Sequence, residues 1–205
     1  MITLYSDTTP NGYRATIVLE ESGLAYEAVR VNTEKQEQRQ GAFLALNPAG
    51  AIPVLVDDDG PGGQRICLPQ SGAIALYVAE KCGQFIPRDD RRRAHAYQWF
   101  YQVGTDITSA SSWIFNHARS MPLKHPQNEK WLQDRLAGAL ANADRWLGEH
   151  EYFADEVSIA DFLLYPNFWF RRSAIQASGA FPNLCRWGEA MAARPAVARG
   201  MSVFS

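Results

Sequence analysis

Residues 1–31, MITLYSDTTPNGYRATIVLEESGLAYEAVRV, decide the fold of this chain. Residues 2–5 alternate as a short strand does, and the turn-forming sequence TPNG follows at residues 9–12. Residues 15–22 have helical character and are followed by a glycine, a common helix stop. Residues 26–31 alternate again as a second strand. The order strand, helix, strand predicts a parallel βαβ unit.

The alternation of strands and helices continues to about residue 82. Strand patterns at residues 52–56 and 65–68 are joined by the turn-rich segment DDDGPGG at residues 57–63, which predicts a hairpin. A short helix is expected around residues 43–44, and a longer one at residues 71–81 is closed by a glycine. The predicted order is therefore βαβαββα, an α/β sandwich of one sheet with helices packed on it.

The second half of the chain shows amphipathic helix patterns and no strand pattern. These helices are predicted at residues 91–118, 128–148, 159–177 and 184–193. The segment at residues 84–88 contains a proline and is the predicted linker. The sequence thus predicts two domains, an α/β domain at residues 1–83 and an all-α domain at residues 88–205. The aromatic residues of the helices are expected to be mostly core: Trp99, Phe100, Tyr101, Trp113, Phe115, Trp169 and Phe170.

Composition argues against several classes of protein. With 20 basic and 22 acidic residues, the chain lacks the basic excess that a nucleic-acid surface needs. The apolar runs fall short of the roughly 20 residues that span a bilayer, and the first residues show no signal-peptide pattern. Three scattered cysteines without a C-x-x-C motif predict no disulfide framework and a cytoplasmic protein. The four histidines form no cluster, so no metal is expected.

Two predicted helices begin directly after strands. Thr9 before Pro10 is an N-cap signature, and Ser71 after Gln70 is the predicted N-cap of the second helix. Each signal alone indicates only capping. A helix N-terminus also carries a positive partial charge, which favours a thiolate or a carboxylate placed there. Asn11 adds an amide donor that cannot ionise.

Other signals concern the backbone and the hydroxyl groups. Pro53 at a strand start leaves the backbone of Ile52 available to an extended peptide, with the isomer of their peptide bond left open. The tetrad SIAD at residues 158–161 matches a capping box, which is a folding signal. Tyr5 and Ser6 are hydroxyl candidates for thiol activation, but Tyr5 is expected to be packed and Ser6 precedes the helix start.

In this order and spacing, the motifs resemble the glutathione transferase family along the whole chain. The resemblance implies a thioredoxin-like N-terminal domain with Pro53 at the family's cis-proline. It also implies that the pair Gln70-Ser71 holds the γ-glutamyl end of glutathione. The motif TPNG at residues 9–12 is most similar to the bacterial nu class. In that class no Tyr, Ser or Cys activates the thiol, so Thr9 and Asn11 are implied to lie at the sulfur.

The resemblance implies further contacts and an activity. Gln38 would contact a glutathione, Ile52 would pair its backbone with the cysteinyl unit, and Arg135 would reach a carboxylate from the helical domain. The implied protein is a homodimeric enzyme that binds reduced or oxidised glutathione as its cosubstrate and reduces small disulfides. Conjugation of glutathione to electrophiles stays open. So does a regulatory role with little catalysis, because the chain also resembles the transferase-like region of a fungal nitrogen regulator.

Overall fold

The computed structural model of the protein describes residues 1–119 and 121–204, which form two compact units. Met1–Gln84 and the C-terminal segment from Ala192 form the first unit, and Phe85–Met191 forms the second. The first unit contains β1 (Ile2–Ser6), α1 (Pro10–Ser22), β2 (Tyr26–Arg30), α2 (Gly41–Leu44), β3 (Val54–Asp57), β4 (Ile66–Pro69), α3 (Ser71–Cys82) and α9 (Pro195–Gly200).

The sheet of the first unit has the strand order β2-β1-β3-β4. β1 and β2 are parallel, whereas β3 is antiparallel to both β1 and β4. Leu4 and Leu55 of the sheet are fully buried, as are Ile17 of α1 and Ile74 of α3. The predicted βαβαββα order is confirmed, and buried residues of the sheet and its helices form the core.

A proline lies at the start of α1 and another directly before β3. The sequence TPNG at residues 9–12 is the first turn of α1, because Thr9 caps the helix and the helix begins at Pro10. β3 begins at Val54 rather than at residue 52, because Pro53 has no N–H with which to join the strand ladder. Gly23 ends α1 with φ of 68°, a left-handed conformation that favours glycine.

The C-terminal segment packs on α1 in the first unit. The Thr16 hydroxyl donates to the carbonyl of Gly200 over 2.7 Å, and Arg194 forms two bonds of 2.6 and 2.7 Å to Glu21. A Cβ at Gly200 would lie 2.7 Å from the Cα of Ile17, so only glycine allows this approach. The domain limits 1–83 and 88–205 stay a prediction, but the folded chain places its last described residues on the N-terminal unit.

The second unit is all-α, as predicted. Its helices are α4 (Asp90–Gln102), α5 (Ser109–Arg119), α6 (Pro126–Leu147), α7 (Ile159–Ser178) and α8 (Pro182–Ala192). The helix predicted at residues 91–118 is interrupted by a π-helical turn, Val103–Thr108, between α4 and α5. Of the helices in the described part of the chain, none combines the length and the apolar character needed to span a bilayer.

The capping box at the start of α7 is present as predicted. Asp161 is fully buried, and its Oδ2 accepts 2.9 Å bonds from the N–H and the hydroxyl of Ser158. Its Oδ1 accepts a 2.8 Å bond from the indole Nε1 of Trp187 on α8. One carboxyl group therefore joins the first turn of α7 to α8.

The expectation that the helix aromatics are mostly core is only partly met. Trp99 and Phe100 are buried, but the side chains of four others are at least half exposed: Tyr101, Trp113, Phe115 and Phe170. Aromatic character alone does not reveal which face of an amphipathic helix meets its neighbours. The second unit consequently presents apolar surface that its own helices do not cover.

Candidate functional site at one edge of the sheet

The predicted site residues of the first unit gather at one edge of the sheet. The strand register aligns Tyr5 with Val54 and Val54 with Pro69, so β1 and β4 end at the edge where β3 begins. β2 ends at the same edge, because Ser6 pairs with Arg30. The segments that meet there carry Thr9, Asn11, Gln38, Ile52, Pro53, Gln70 and Ser71.

The width of this edge matches an extended tripeptide. Neighbouring strands lie about 4.8 Å apart, so β1 and β4, with β3 between them, are about 10 Å apart. Three extended residues also span about 10 Å. A tripeptide crossing β3 can thus have one end at the start of α3 and its other groups at the start of α1.

Thr9 and Gly12 set the geometry at the start of α1. The Thr9 Oγ1 accepts a 3.0 Å bond from the N–H of Gly12, as an N-cap does. The hydroxyl proton of Thr9 is not used in that bond and can be donated to a ligand. A Cβ at Gly12 would lie 2.0 Å from the carbonyl oxygen of Asp7, so glycine allows α1 to begin this close to the end of β1.

Asn11 is exposed at the first turn of α1, beside a buried arginine. Its Oδ1 accepts a 2.6 Å bond from Nη1 of Arg14, whose side chain is almost entirely buried. Burial lowers the pKa of Arg14 to about 10, so the guanidinium remains charged at neutral pH. Sequence reasoning missed Arg14, although its place three residues after Asn11 is a helical spacing that brings side chains together.

The start of α3 corrects one prediction. Gln70, not Ser71, occupies the N-cap position, and no side chain caps α3 in the described part of the chain. The reason is the backbone of Gln70, whose φ of 79° and ψ of 117° turn the chain so that Ser71 is already the first helical residue. Such conformations are rare for residues other than glycine, cost roughly 1–3 kcal/mol and cluster at ligand sites. Ser71 itself is buried.

The segment before β3 contains a cis peptide bond between Ile52 and Pro53. Asn47 holds this segment, since its Nδ2 donates to the carbonyl of Ala51 over 2.7 Å. Ile52 packs against the buried cluster around Val54 and precedes the paired residues of the strand. Its backbone is placed where an extended peptide could pair with it.

The loop that carries Gln38 is tied to the end of β1 by Asp7. This buried carboxylate accepts bonds from the N–H and the hydroxyl of Thr33, at 2.8 and 2.7 Å, and from Nε of Arg30 at 3.0 Å. Burial alone raises the pKa of Asp7, but these hydrogen bonds outweigh it and hold the pKa below its ordinary value. Among the described residues nothing donates to the buried Oε1 of Gln38.

Arg135 belongs to the second unit, on α6. Its Nη2 lies 4.0 Å from Oδ1 of Asp106, and its guanidinium lies over the Trp131 ring at 5.7 Å from the centroid. Its proposed reach to a glutathione carboxylate stays a prediction. In residues 1–119 and 121–204, no group of three or more His, Cys, Asp or Glu side chains could hold a metal ion.

A four-stranded sheet with a cis-proline before β3 and two helix N-termini at one edge defines a thioredoxin-like domain, here joined to a helical unit. Family models described as "Glutathione S-transferase, N-terminal domain" and "Glutathione S-transferase, C-terminal domain" match residues 1–80 and 114–195. The chain belongs to the glutathione S-transferase family.

Its similarity to individual members extends over nearly the whole chain. It is 35% identical to the disulfide-bond oxidoreductase YfcG of Escherichia coli (strain K12), over 98% of this chain and 94% of that protein. A Pseudomonas putida glutathione transferase with one glutathione disulfide per subunit matches with a TM-score of 0.90 and 32% identity, covering 100% of this chain and 92% of that one. A glutathione transferase family member from Pseudomonas fluorescens with two glutathione bound matches with a TM-score of 0.89 and 32% identity. This match covers 98% of this chain and 92% of that one.

Proposed function

We propose that this protein binds glutathione at the sheet edge and uses the glutathione thiol to reduce small disulfides. The observation that carries the proposal is the start of α1, where the Thr9 hydroxyl and the exposed Asn11 amide stand at the positive end of a helix. The relatives named above, a disulfide-bond oxidoreductase and two glutathione-bound transferases, support the same chemistry.

The order of the strands suggests how the tripeptide lies. The γ-glutamyl end meets Gln70 and Ser71 at the start of α3, and the cysteinyl unit pairs with the backbone of Ile52 beside Pro53. The sulfur then points to Thr9 and Asn11. Gln38 contacts a glutathione, and Arg135 reaches a glutathione carboxylate.

The reaction needs two glutathione molecules for each disulfide. The bound thiolate attacks one sulfur of the disulfide, forms a mixed disulfide and releases the other sulfur as a thiolate, which takes up a proton. A second glutathione attacks the mixed disulfide, giving glutathione disulfide and the second reduced thiol. Glutathione thus supplies both electrons and both protons.

Steady-state assays test this function directly. The enzyme is given glutathione with bis(2-hydroxyethyl) disulfide in one series and with an aryl halide in the other, and formation of glutathione disulfide or of the conjugate is measured. We expect disulfide reduction to dominate. Dominant conjugation would overturn the proposal in favour of a conjugating transferase, and tight binding without either reaction would indicate a binding protein.

The protein's own cysteines should be dispensable for this reaction. Cys67 lies in β4, Cys82 ends α3 and Cys185 lies in α8, and all three are free thiols. Burial, with smaller contributions from Glu189 and Asp144, raises the pKa of Cys185, which disfavours its thiolate. A variant with all three replaced by alanine should reduce disulfides at close to the wild-type kcat/KM. A folded but inactive triple variant would show that a protein thiol is the nucleophile.

Ser71→Ala should weaken glutathione binding. Loss of a hydrogen bond to a charged carboxylate costs about 1–3 kcal/mol, which isothermal calorimetry measures as a higher Kd. Ser202→Ala is the matched control, because Ser202 is exposed and its hydroxyl donates to the carbonyl of Ala198, on α9 of the same unit. Equal affinities of wild type and Ser71→Ala would remove Ser71 from the site.

We also propose that the protein is a homodimer in the cytoplasm. The exposed aromatic residues of the second unit support the dimer: Tyr101, Trp113, Phe115, Trp131 and Phe170. The three free thiols support the cytoplasm, because cysteines stay unpaired in a reducing compartment. Light scattering at micromolar concentration should give the mass of two chains, and a monomeric mass would refute the dimer.

A further inference from the structure

We propose that Arg14 is a positioning residue that turns the amide N–H₂ of Asn11 toward the sulfur of bound glutathione. The inference rests on the proposed function, because it assumes that the glutathione sulfur lies at the start of α1. In this inference, the buried Arg14 side chain determines whether the N–H₂ or the oxygen of the exposed Asn11 amide faces the substrate.

The chemistry of arginine forces the orientation of the amide. A guanidinium has only donors, so the Asn11 atom that lies 2.6 Å from Nη1 of Arg14 must be the carbonyl oxygen. The amide is planar, and its N–H₂ therefore points away from Arg14. Asn11 is exposed, so this N–H₂ is presented at the surface of the first helical turn.

The orientation matters because the two ends of an amide act on a thiolate with opposite sign. The N–H₂ end donates a hydrogen bond to the charged sulfur and stabilises it, whereas the oxygen end would repel it. An exposed asparagine without a fixed partner can rotate between both arrangements. Arg14 removes that freedom, since its side chain is almost entirely buried and remains charged at neutral pH.

A bond from a charged donor also polarises the amide. Electron density drawn toward Oδ1 makes the N–H₂ of Asn11 a stronger donor, as in other hydrogen-bond chains inside proteins. Arg14 would then act on the sulfur only through Asn11. This differs from a direct effect of the Arg14 charge on the thiolate, which would not depend on Asn11.

A double-mutant cycle separates the two modes of action. The pKa of bound glutathione is measured by the ultraviolet absorbance of its thiolate in wild type, Arg14→Met, Asn11→Ala and the double variant. We expect each single variant to raise this pKa by about 1–2 pH units. The double variant should show no further rise beyond Asn11→Ala. A shift from Arg14→Met that persists in the Asn11→Ala background would overturn the positioning role.

Two controls keep the outcome specific. Arg199→Met removes a guanidinium that bonds Glu20 over 2.7 Å, about 14 Å along α1 from Asn11, and should leave the thiol pKa unchanged. Arg199→Met should also bind S-methylglutathione as tightly as wild type, which shows that the site stays folded in this control. If Arg14→Met does not fold, a crystal structure of the wild type with glutathione decides instead. We expect Asn11 to lie between Arg14 and the sulfur, with one end of its amide within hydrogen-bond distance of each, and an Asn11 side chain that contacts the sulfur but not Arg14 would overturn the proposal.

The cycle also distinguishes this inference from the proposed function. If wild type does not bind glutathione, or if Asn11→Ala leaves the thiol pKa unchanged, the proposed site is wrong. If Asn11→Ala raises the pKa and Arg14→Met does not, the site stands and only the role of Arg14 fails.

Discussion

Asn11→Ala should move the midpoint of the pH–rate profile for disulfide reduction upward by about 1–2 pH units. A free thiol with a pKa of about 8.5 is only about 3% thiolate at pH 7, and a pKa about two units lower makes it roughly three-quarters thiolate. That shift requires about 2.7 kcal/mol of differential stabilisation. The α1 N-terminus supplies about 0.3–2 kcal/mol, and a hydrogen bond to the charged sulfur about 1.5–3 kcal/mol.

The loss of turnover should depend on pH in a characteristic way. A thiolate of higher pKa is scarcer but intrinsically more nucleophilic, with a Brønsted coefficient of about 0.4–0.5. If the pKa of the bound thiol rises by about 1.5 units, Asn11→Ala should reduce disulfides about fivefold more slowly than wild type at pH 6 and about twofold more slowly at pH 7. At high pH, Asn11→Ala should equal or exceed the wild-type rate.

Steady-state kinetics with a small disulfide over this pH range measure the shift. Asn142→Ala, an exposed asparagine on α6, is the matched control and should keep the wild-type profile. An unchanged midpoint for Asn11→Ala would mean that the amide does not act on the sulfur.

Asp161→Ala should lower the free energy of unfolding by about 3–5 kcal/mol at pH 5. The substitution leaves the N–H and hydroxyl of Ser158 and the Nε1 of Trp187 buried without their acceptor. Each such donor costs about 1–3 kcal/mol, with less than full additivity in one network. Urea unfolding followed by tryptophan fluorescence measures the change.

The difference in the free energy of unfolding between wild type and Asp161→Ala should shrink as the pH rises. Burial raises the pKa of Asp161 from 3.8 to about 6, although bonds from Trp187 and Ser158 act in the opposite direction. The folded state therefore binds this proton more tightly than the unfolded state, and the contribution of Asp161 to stability falls as pH rises from about 4 to about 6. The gap between wild type and Asp161→Ala should consequently narrow from pH 5 to pH 7.

Asp134→Ala provides the control for Asp161→Ala. Asp134 is an exposed acid of the same unit that pairs with Lys130 on α6, and its loss should change stability by less than about 0.5 kcal/mol. If Asp161→Ala were as mild as this control, the capping box would not join α7 to α8 energetically.

Much of the candidate site could be predicted from the sequence because its signals are local. Thr9 and Pro10 mark a helix start through bonds made within a single turn. The capping box at the start of α7 likewise depends on residues three apart. The predicted βαβαββα order is also local in origin, and the observed strand order β2-β1-β3-β4 brings the starts of α1 and α3 to one edge of the sheet.

The features that sequence patterns missed depend on contacts between distant residues or on one backbone angle. The positive φ of Gln70 makes Ser71 a first-turn residue rather than a cap. Residue type predicted a core position for Trp113, but the packing of the helices leaves it half exposed.

The sequence by itself determined where α1 begins and ends, because Thr9, Pro10 and Gly23 act through bonds and backbone preferences within a few residues. Only the tertiary structure decided what that helix packs against. Thr16 bonds to Gly200, 184 positions later, and no local pattern encodes such a pairing. The burial of Arg14, and with it the orientation of Asn11, likewise exists only in the folded chain. Local hydrogen bonds determine where the helix forms. Contacts between residues far apart in sequence determine what the helix packs against and which way the Asn11 amide points.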